Sequence, residues 1–186
     1  MPDSKLVSTA KPKITGGVSI GPAGATLPTD ATTAVGATIL PMGYVGEDGI
    51  SQNIDRNIEK FKAWGGAVVH SAQTEFGETF KFTLLESANA DVLKAVYGDA
   101  NVTVTGTAPN VTIAVKHNDA EVPAKVFVFD MLTGSRSRRI AVPLGKLSLS
   151  GEVKYAGSDL ISYEVEVDAL PDASGNTAYE YVGPAA

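Results

Sequence analysis

The side chains that could carry chemistry are two histidines, a run of three carboxylates and one cluster of arginines. His70 and His117 are the only histidines. A metal site needs further ligands nearby, and a general base needs a partner that orients it. Neither histidine has a second ligand two or four residues away, so both read as strand-face residues. Glu164, Glu166 and Asp168 alternate with apolar residues. Paired carboxylates can hydrolyse glycosides. Here the spacing is simply the strand period of two, which makes a solvated acidic face. Arg136, Arg138 and Arg139, interleaved with Ser135 and Ser137, form the one basic cluster. In an acidic chain it reads as a hairpin tip, solvated or paired with a neighbour's acids, ahead of a nucleic-acid contact. No glycine run sits between a strand and a helix with phosphate-loop spacing. The triplets at Asn101 and Asn110 match a glycosylation acceptor but fall at strand starts. No catalytic, cofactor or metal set emerges.

The totals narrow the classes further. The chain has 186 residues, 15 Lys and Arg against 21 Asp and Glu, and a net charge of −6. That length suits one domain with some residues left for arms. The acidic balance argues against duplex DNA as a bound ligand, which needs a basic footprint. Without cysteine there is neither a disulfide framework nor a thiolate site. No stretch has the length of a membrane span or a signal peptide. The expectation is a soluble protein made in the cytoplasm, with no membrane partner.

The positioning elements follow from periodicity. Residues 1–33 are rich in Pro, Gly, Ala and Thr and read as an N-terminal arm, with one short strand possible at residues 13–20. Residues 35–47 hold a short strand and turns. Residues 50–62 alternate loosely, with Ile54, Arg56, Ile58 and Lys60 on one face and Asp55, Asn57, Glu59 and Phe61 on the other. A helix is the rival, because Ile54, Ile58 and Phe61 also fit helical spacing. Strand is preferred because residues 68–75 read as its hairpin partner across Gly65-Gly66. Phe76-Gly77 reads as a turn before a third strand at residues 78–86. A helix is expected at residues 90–97, capped by Ser87 or Asn89 and ended by Gly98. Strands then follow at residues 101–105, 111–117, 125–131, 138–142, 147–155 and 160–170. Residues 171–186 return to arm-like composition; Tyr179 and Tyr181 could add to a neighbour's sheet edge. The domain proper is residues 34–170.

The sum is a mainly β protein: an antiparallel β-sandwich or rolled barrel with one short flanking α-helix and extended N- and C-terminal arms. Residues 50–75 lack a clean apolar face. In a monomer they would be a weakly anchored ribbon with exposed edges. The pattern makes sense where copies of the chain complete each other's sheets.

Several residues in order resemble a known family. They are Pro28-Thr29-Asp30, the turn at residues 43–49 (GYVGEDG), residues 62–66 (KAWGG), the strand at residues 79–86 (TFKFTLLE), the helix end Val96-Tyr97-Gly98 and Val165-Glu166-Val167-Asp168-Ala169. In order and spacing these resemble the major tail proteins, or tail tube proteins, of long-tailed non-contractile bacteriophages, especially those of actinobacteria. The likeness covers roughly residues 17–170.

The resemblance implies six copies in a ring whose inner strands form one β-barrel, with rings stacked into a hollow tube in the virion tail. Its partners would be other copies of itself, the tape-measure protein, tail terminator and tail tip proteins, and double-stranded DNA in transit without specific binding. It implies assembly in the bacterial cytoplasm and no enzyme activity. Within that frame Asp55, Asn57, Glu59, Gln73 and Glu75 are the expected channel-facing residues. Val45, Glu47, Asp48, Ile50, Tyr179 and Tyr181 are expected to contact the next ring. Arg136, Arg138 and Arg139 are expected between subunits. The competing readings are a monomeric sandwich that decorates a virion, and a tail terminator or connector sharing the fold.

Overall fold

The computed structural model describes residues 7–13, 16–134 and 136–184. The elements in chain order are β1 (Lys11–Pro12), β2 (Val18–Pro22), β3 (Leu40–Pro41), β4 (Ser51–Lys62), β5 (Val68–Leu84), α1 (Ala90–Tyr97), a 3-10 turn (Asp99–Asn101), β6 (Val102–Thr107), β7 (Asn110–Val115), β8 (Lys125–Thr133), β9 (Arg136–Leu149), β10 (Tyr163–Ala169) and β11 (Tyr179–Pro184). Among the described residues the protein is mainly β, with antiparallel pairing and one α-helix, consistent with the expected β-sandwich.

One sheet dominates, in the order β3-β2-β8-β9-β10-β5-β4, with β1 beside β8 and β11 beside β9. Strands β6 and β7 form a separate ribbon. Alternation along the central strands sorts their side chains. Phe80, Phe82, Leu84, Phe127, Phe129, Val142, Tyr163, Val165 and Val167 are buried on one face of the sheet. Helix α1 closes that face with Val92, Leu93, Ala95 and Val96. Two turns of helix are too short to persist alone, so α1 depends on this docking. Its ends are held locally: Asn89 Oδ1 accepts from Asp91 N at 2.9 Å, and Gly98 at φ 92° donates its N–H to Lys94 O at 3.0 Å.

The opposite face of the sheet is divided. Over β2, β8 and the first half of β9 it is covered by residues 23–39, and Ile39 packs there on Val126 and Val128. Over the second half of β9, β10 and β5 it is open. Strand β9 changes neighbours at the boundary: Arg136 to Ala141 pair with β11, and Gly145 to Leu149 pair with β10. Pro143 and Leu144 lie between, where the pairing to β8 also shifts register. Proline lacks the N–H that a ladder needs, so the bulge is its natural place.

Several sequence expectations are corrected. Phe76-Gly77 is not a turn, because β5 runs unbroken from Val68 to Leu84. The strands expected at 138–142 and 147–155 are one strand, β9, which ends at Leu149, so residues 150–155 are not strand. The N-terminal stretch is not all arm: β2 lies inside the sheet with Val18 and Ile20 in the core. Part of the expected strand at 13–20 lies outside the described residues. Residues 35–47 supply only the two-residue β3 and a bridge from Val45 to Leu84. The C-terminal segment adds as β11 to the chain's own β9.

Candidate functional site

Residues 51–62 settle as strand, and the helical alternative is excluded. With β5 they form a hairpin that turns at Ala63–Ala67, where Ala63 N donates to Ala67 O at 2.8 Å. Its root belongs to the body. Strand β10 pairs with β5 from Leu84 down to Thr79. Beyond Thr79, among the described residues, β4 and β5 pair only with each other, and every residue of β4 is exposed. From Ile54 to Lys62 the ribbon reaches about 30 Å at ~3.3 Å per residue.

The root is tied by a polar knot. Glu78 is buried on β5, and its two oxygens take separate partners. Gln52 Nε2 donates to Oε1 at 2.6 Å, and Thr177 Oγ1 donates to Oε2. One carboxylate therefore joins β4, β5 and the segment leading into β11. Sequence periodicity had no means of finding Glu78, since Thr177 lies 99 residues away.

Register decides which ribbon side chains share a face. Asp55 is opposite Gly77 and Asn57 is opposite Glu75, so Asp55, Asn57, Glu59 and Glu75 lie together. The pairing then slips: Ile58 is opposite Gln73, and Thr74 is the extra residue. Thr74 Oγ1 donates to Asn57 O at 3.3 Å. The bulge puts Gln73 on the other face, where Arg56 Nη1 donates to its Oε1 at 3.5 Å and Arg56 stacks 4.9 Å over the Phe76 ring. Of the five expected channel-facing residues, four share a surface and Gln73 does not.

The acidic ribbon face continues onto the open part of the body's sheet. Glu166 is opposite Lys81, Asp168 is opposite Thr79, and Thr79 is opposite Asn53. Lys81 Nζ meets Glu166 Oε2 at 3.0 Å. Glu164, Glu166 and Asp168 therefore lie on the same side of one sheet as Asp55, Glu59 and Glu75. His70 is on this side near the ribbon tip, beside Phe61 at 5.8 Å. His117 packs on Tyr97 at 4.6 Å. Among the described residues no group of three His, Asp or Glu side chains is placed to hold a metal ion.

The other expected contacts are dispersed. Glu47 and Asp48 are exposed in the turn after Val45, while Val45 and Ile50 pack against the core. Tyr179 and Tyr181 lie on β11. Tyr179 donates its OH to Asp172 Oδ2 at 2.6 Å, which holds the Asp172 carboxyl below its usual range and pushes the Tyr179 phenol up. The basic cluster is split by its own chain. Arg138 pairs with Glu180 at 2.7 Å, and Arg139 is buried against Asp130. Arg139 thus cannot serve as an exposed intersubunit cation. Arg136 is exposed at the start of β9.

An open β-body from which a long two-faced ribbon projects is the architecture of an assembling class of protein. The chain belongs to the phage tail tube protein family, whose model matches residues 6–185. A comparison with curated proteins gives no match. Family membership carries a structural role in a phage tail, with self-assembly into a tube. No helix among the described residues is long and apolar enough to cross a membrane.

Proposed function

We propose that this chain is the repeating subunit of the tail tube of a long-tailed, non-contractile phage. Six copies form a ring, the rings stack, and the tube encloses the tape-measure protein before conducting DNA. The observation that supports this best is the β4–β5 ribbon. It leaves the body with both long edges unpaired among the described residues and with no cover on either face. A two-stranded ribbon is marginal in water by itself. Exposed edges of this length are normally capped, charged or paired. Pairing with ribbons of other copies supplies what the monomer lacks.

The acidic sheet face turns toward the channel in this reading. Asp55, Asn57, Glu59 and Glu75 carry it on the ribbon, and Glu164, Glu166 and Asp168 on the body. Like charge keeps phosphates from sticking, so DNA slides past a wall that does not hold it. The turn bearing Glu47 and Asp48 meets the next ring.

Electron microscopy of the purified protein in negative stain tests the reading. Stacked tubes or hexamer-sized rings are expected. A strict monomer at high concentration by light scattering would refute it, and single rings that never stack would point to a terminator.

A further inference from the structure

The two faces of the ribbon differ in chemistry, and the Thr74 bulge sharpens the difference. Beyond the root, all three cations lie on one face: Arg56, Lys60 and Lys62 alternate along β4 with Ile54 and Ile58. All three acids lie on the other, at Asp55, Glu59 and Glu75. The cationic face also carries Ile54, Ile58 and Phe76, whereas on the acidic face Phe61 stands beside His70. The cationic face is the outward continuation of the face that buries Phe80 and Phe82 in the body. Past Glu78 that cover ends, and Ile54, Ile58 and Phe76 are 49%, 56% and 42% exposed.

We propose that this cationic, apolar face seats on the body of a second copy of the chain, in a head-to-tail contact. The proposal rests on the tube reading and specifies how one subunit grips the next. Charge selects the occupant. The ribbon's three cations and three acids cancel, so the net charge of −6 belongs wholly to the rest of the chain. A neighbouring body therefore attracts the cationic face and repels the acidic one, which fixes which way the ribbon turns. Two ribbons cannot meet through this face by a two-fold axis, because each would set Arg56, Lys60 and Lys62 against the same cations. The contact must join different surfaces, and such contacts propagate into rings. The apolar side chains supply the dry centre and the cations the orientation. Phe76 is pre-ordered by the guanidinium of Arg56 stacked on it, so little side-chain freedom remains to be lost on docking.

The experiment uses the full chain. Sedimentation velocity across a concentration series compares wild type with Arg56→Glu combined with Ile58→Asp. The expected result is roughly a tenfold or greater loss of association with an unchanged melting temperature, since both side chains are exposed in the monomer. Association of the wild type should also weaken as salt rises from ~0.1 M to ~1 M, where the Debye length falls to about 3 Å. Wild-type rings with equally good rings from the double variant would overturn the seating and leave the tube reading standing. A wild type that stays monomeric would remove both. A photo-crosslinking residue placed at position 58 or 59 gives a second measurement independent of the variant's folding. Position 58 should capture body peptides of a second copy, and position 59 should not. Equal capture of body peptides from both positions, or none from position 58, would overturn the proposal.

Discussion

Asp130 and Arg139 face one another across β8 and β9 and join through two bonds, Nε to Oδ1 at 2.6 Å and Nη2 to Oδ2 at 3.1 Å. The second guanidinium edge reaches a different part of the chain. Nη1 donates to Asp30 O at 3.0 Å and to Thr33 O at 2.7 Å. That turn is rigid in itself, because the Asp30 carboxylate accepts from the N–H and hydroxyl groups of both Thr32 and Thr33. These bonds hold the Asp30 carboxyl far below its usual range. Arg139 thus fastens residues 23–39 over the outer face of the sheet.

Arg139→Met removes one partner of a buried pair and leaves Asp130 uncompensated. The expected cost is about 3–5 kcal/mol, read as a lower denaturant midpoint. Limited proteolysis should then cut within residues 23–39 sooner than in wild type. Unchanged cleavage there would show that the cover is held by its apolar contacts alone.

Charge reversal on the acidic face separates transit from folding. Asp55→Lys with Glu59→Lys alters only exposed side chains, so monomer stability should move by no more than about 0.5 kcal/mol for each. Particles carrying both should release DNA more slowly, with the delay shrinking as salt rises. Unchanged release together with an unchanged channel potential would remove these residues from the channel wall.

Gly145 sits where β9 passes from one neighbour to the next. A Cβ there would lie 2.7 Å from Val167 Cγ1 and 2.8 Å from Phe127 Cε2. Both neighbours are fully buried, so Gly145→Ala overpacks the core. The expected loss is about 1–3 kcal/mol, measured by urea unfolding. A neutral result would mean that the bulge at Pro143 and Leu144 absorbs the added methyl.

Alkaline pH should expose the tyrosine cluster. Tyr163 is pushed up to about 12, first by burial and then by the neighbouring Tyr97 and Tyr155. A raised folded pKa means the unfolded chain ionises first. Stability is therefore intact below about pH 10, the ordinary phenol value, and falls as pH climbs toward 12. Absorbance at the phenolate band should show Tyr163 titrating late, with unfolding over that window. Tyr163→Phe should flatten the decline.

Much of this architecture was legible in the residues. Asn89, the apolar stripe of α1 and Gly98 place the helix at its observed ends, because capping and periodicity are local. Of the expected inward set Ile161, Tyr163, Val165 and Val167, the last three are buried because one face of β10 is covered, whereas Ile161 precedes the strand and is exposed. Legibility fails where a distant partner decides the outcome. Phe76-Gly77 looks like a turn, yet β4 lies alongside and keeps the backbone extended. Pro143 looks like a strand break, yet a bulge accommodates it. Val18 and Ile20 sit in a stretch of low propensity and are buried because β8, more than a hundred residues later, receives β2. Arg139 looks like its neighbour Arg138, and only strand register separates a buried ion pair from a surface one. Gln73 shows the same limit on the ribbon, where one extra residue reverses a face.

The sheet order also sets a timetable for the newly made chain. The ribbon pairs residues close in sequence, so it can zip up while the rest is still being synthesised. The body cannot. β2 must wait for β8, β5 must wait for β10, and the knot at Glu78 waits for Thr177. The ribbon is therefore the first part of the chain able to pair, and it stays marginal until a body forms at its root. Near the ribosome this favours delay, and subunits become competent to join only once their last strand has closed.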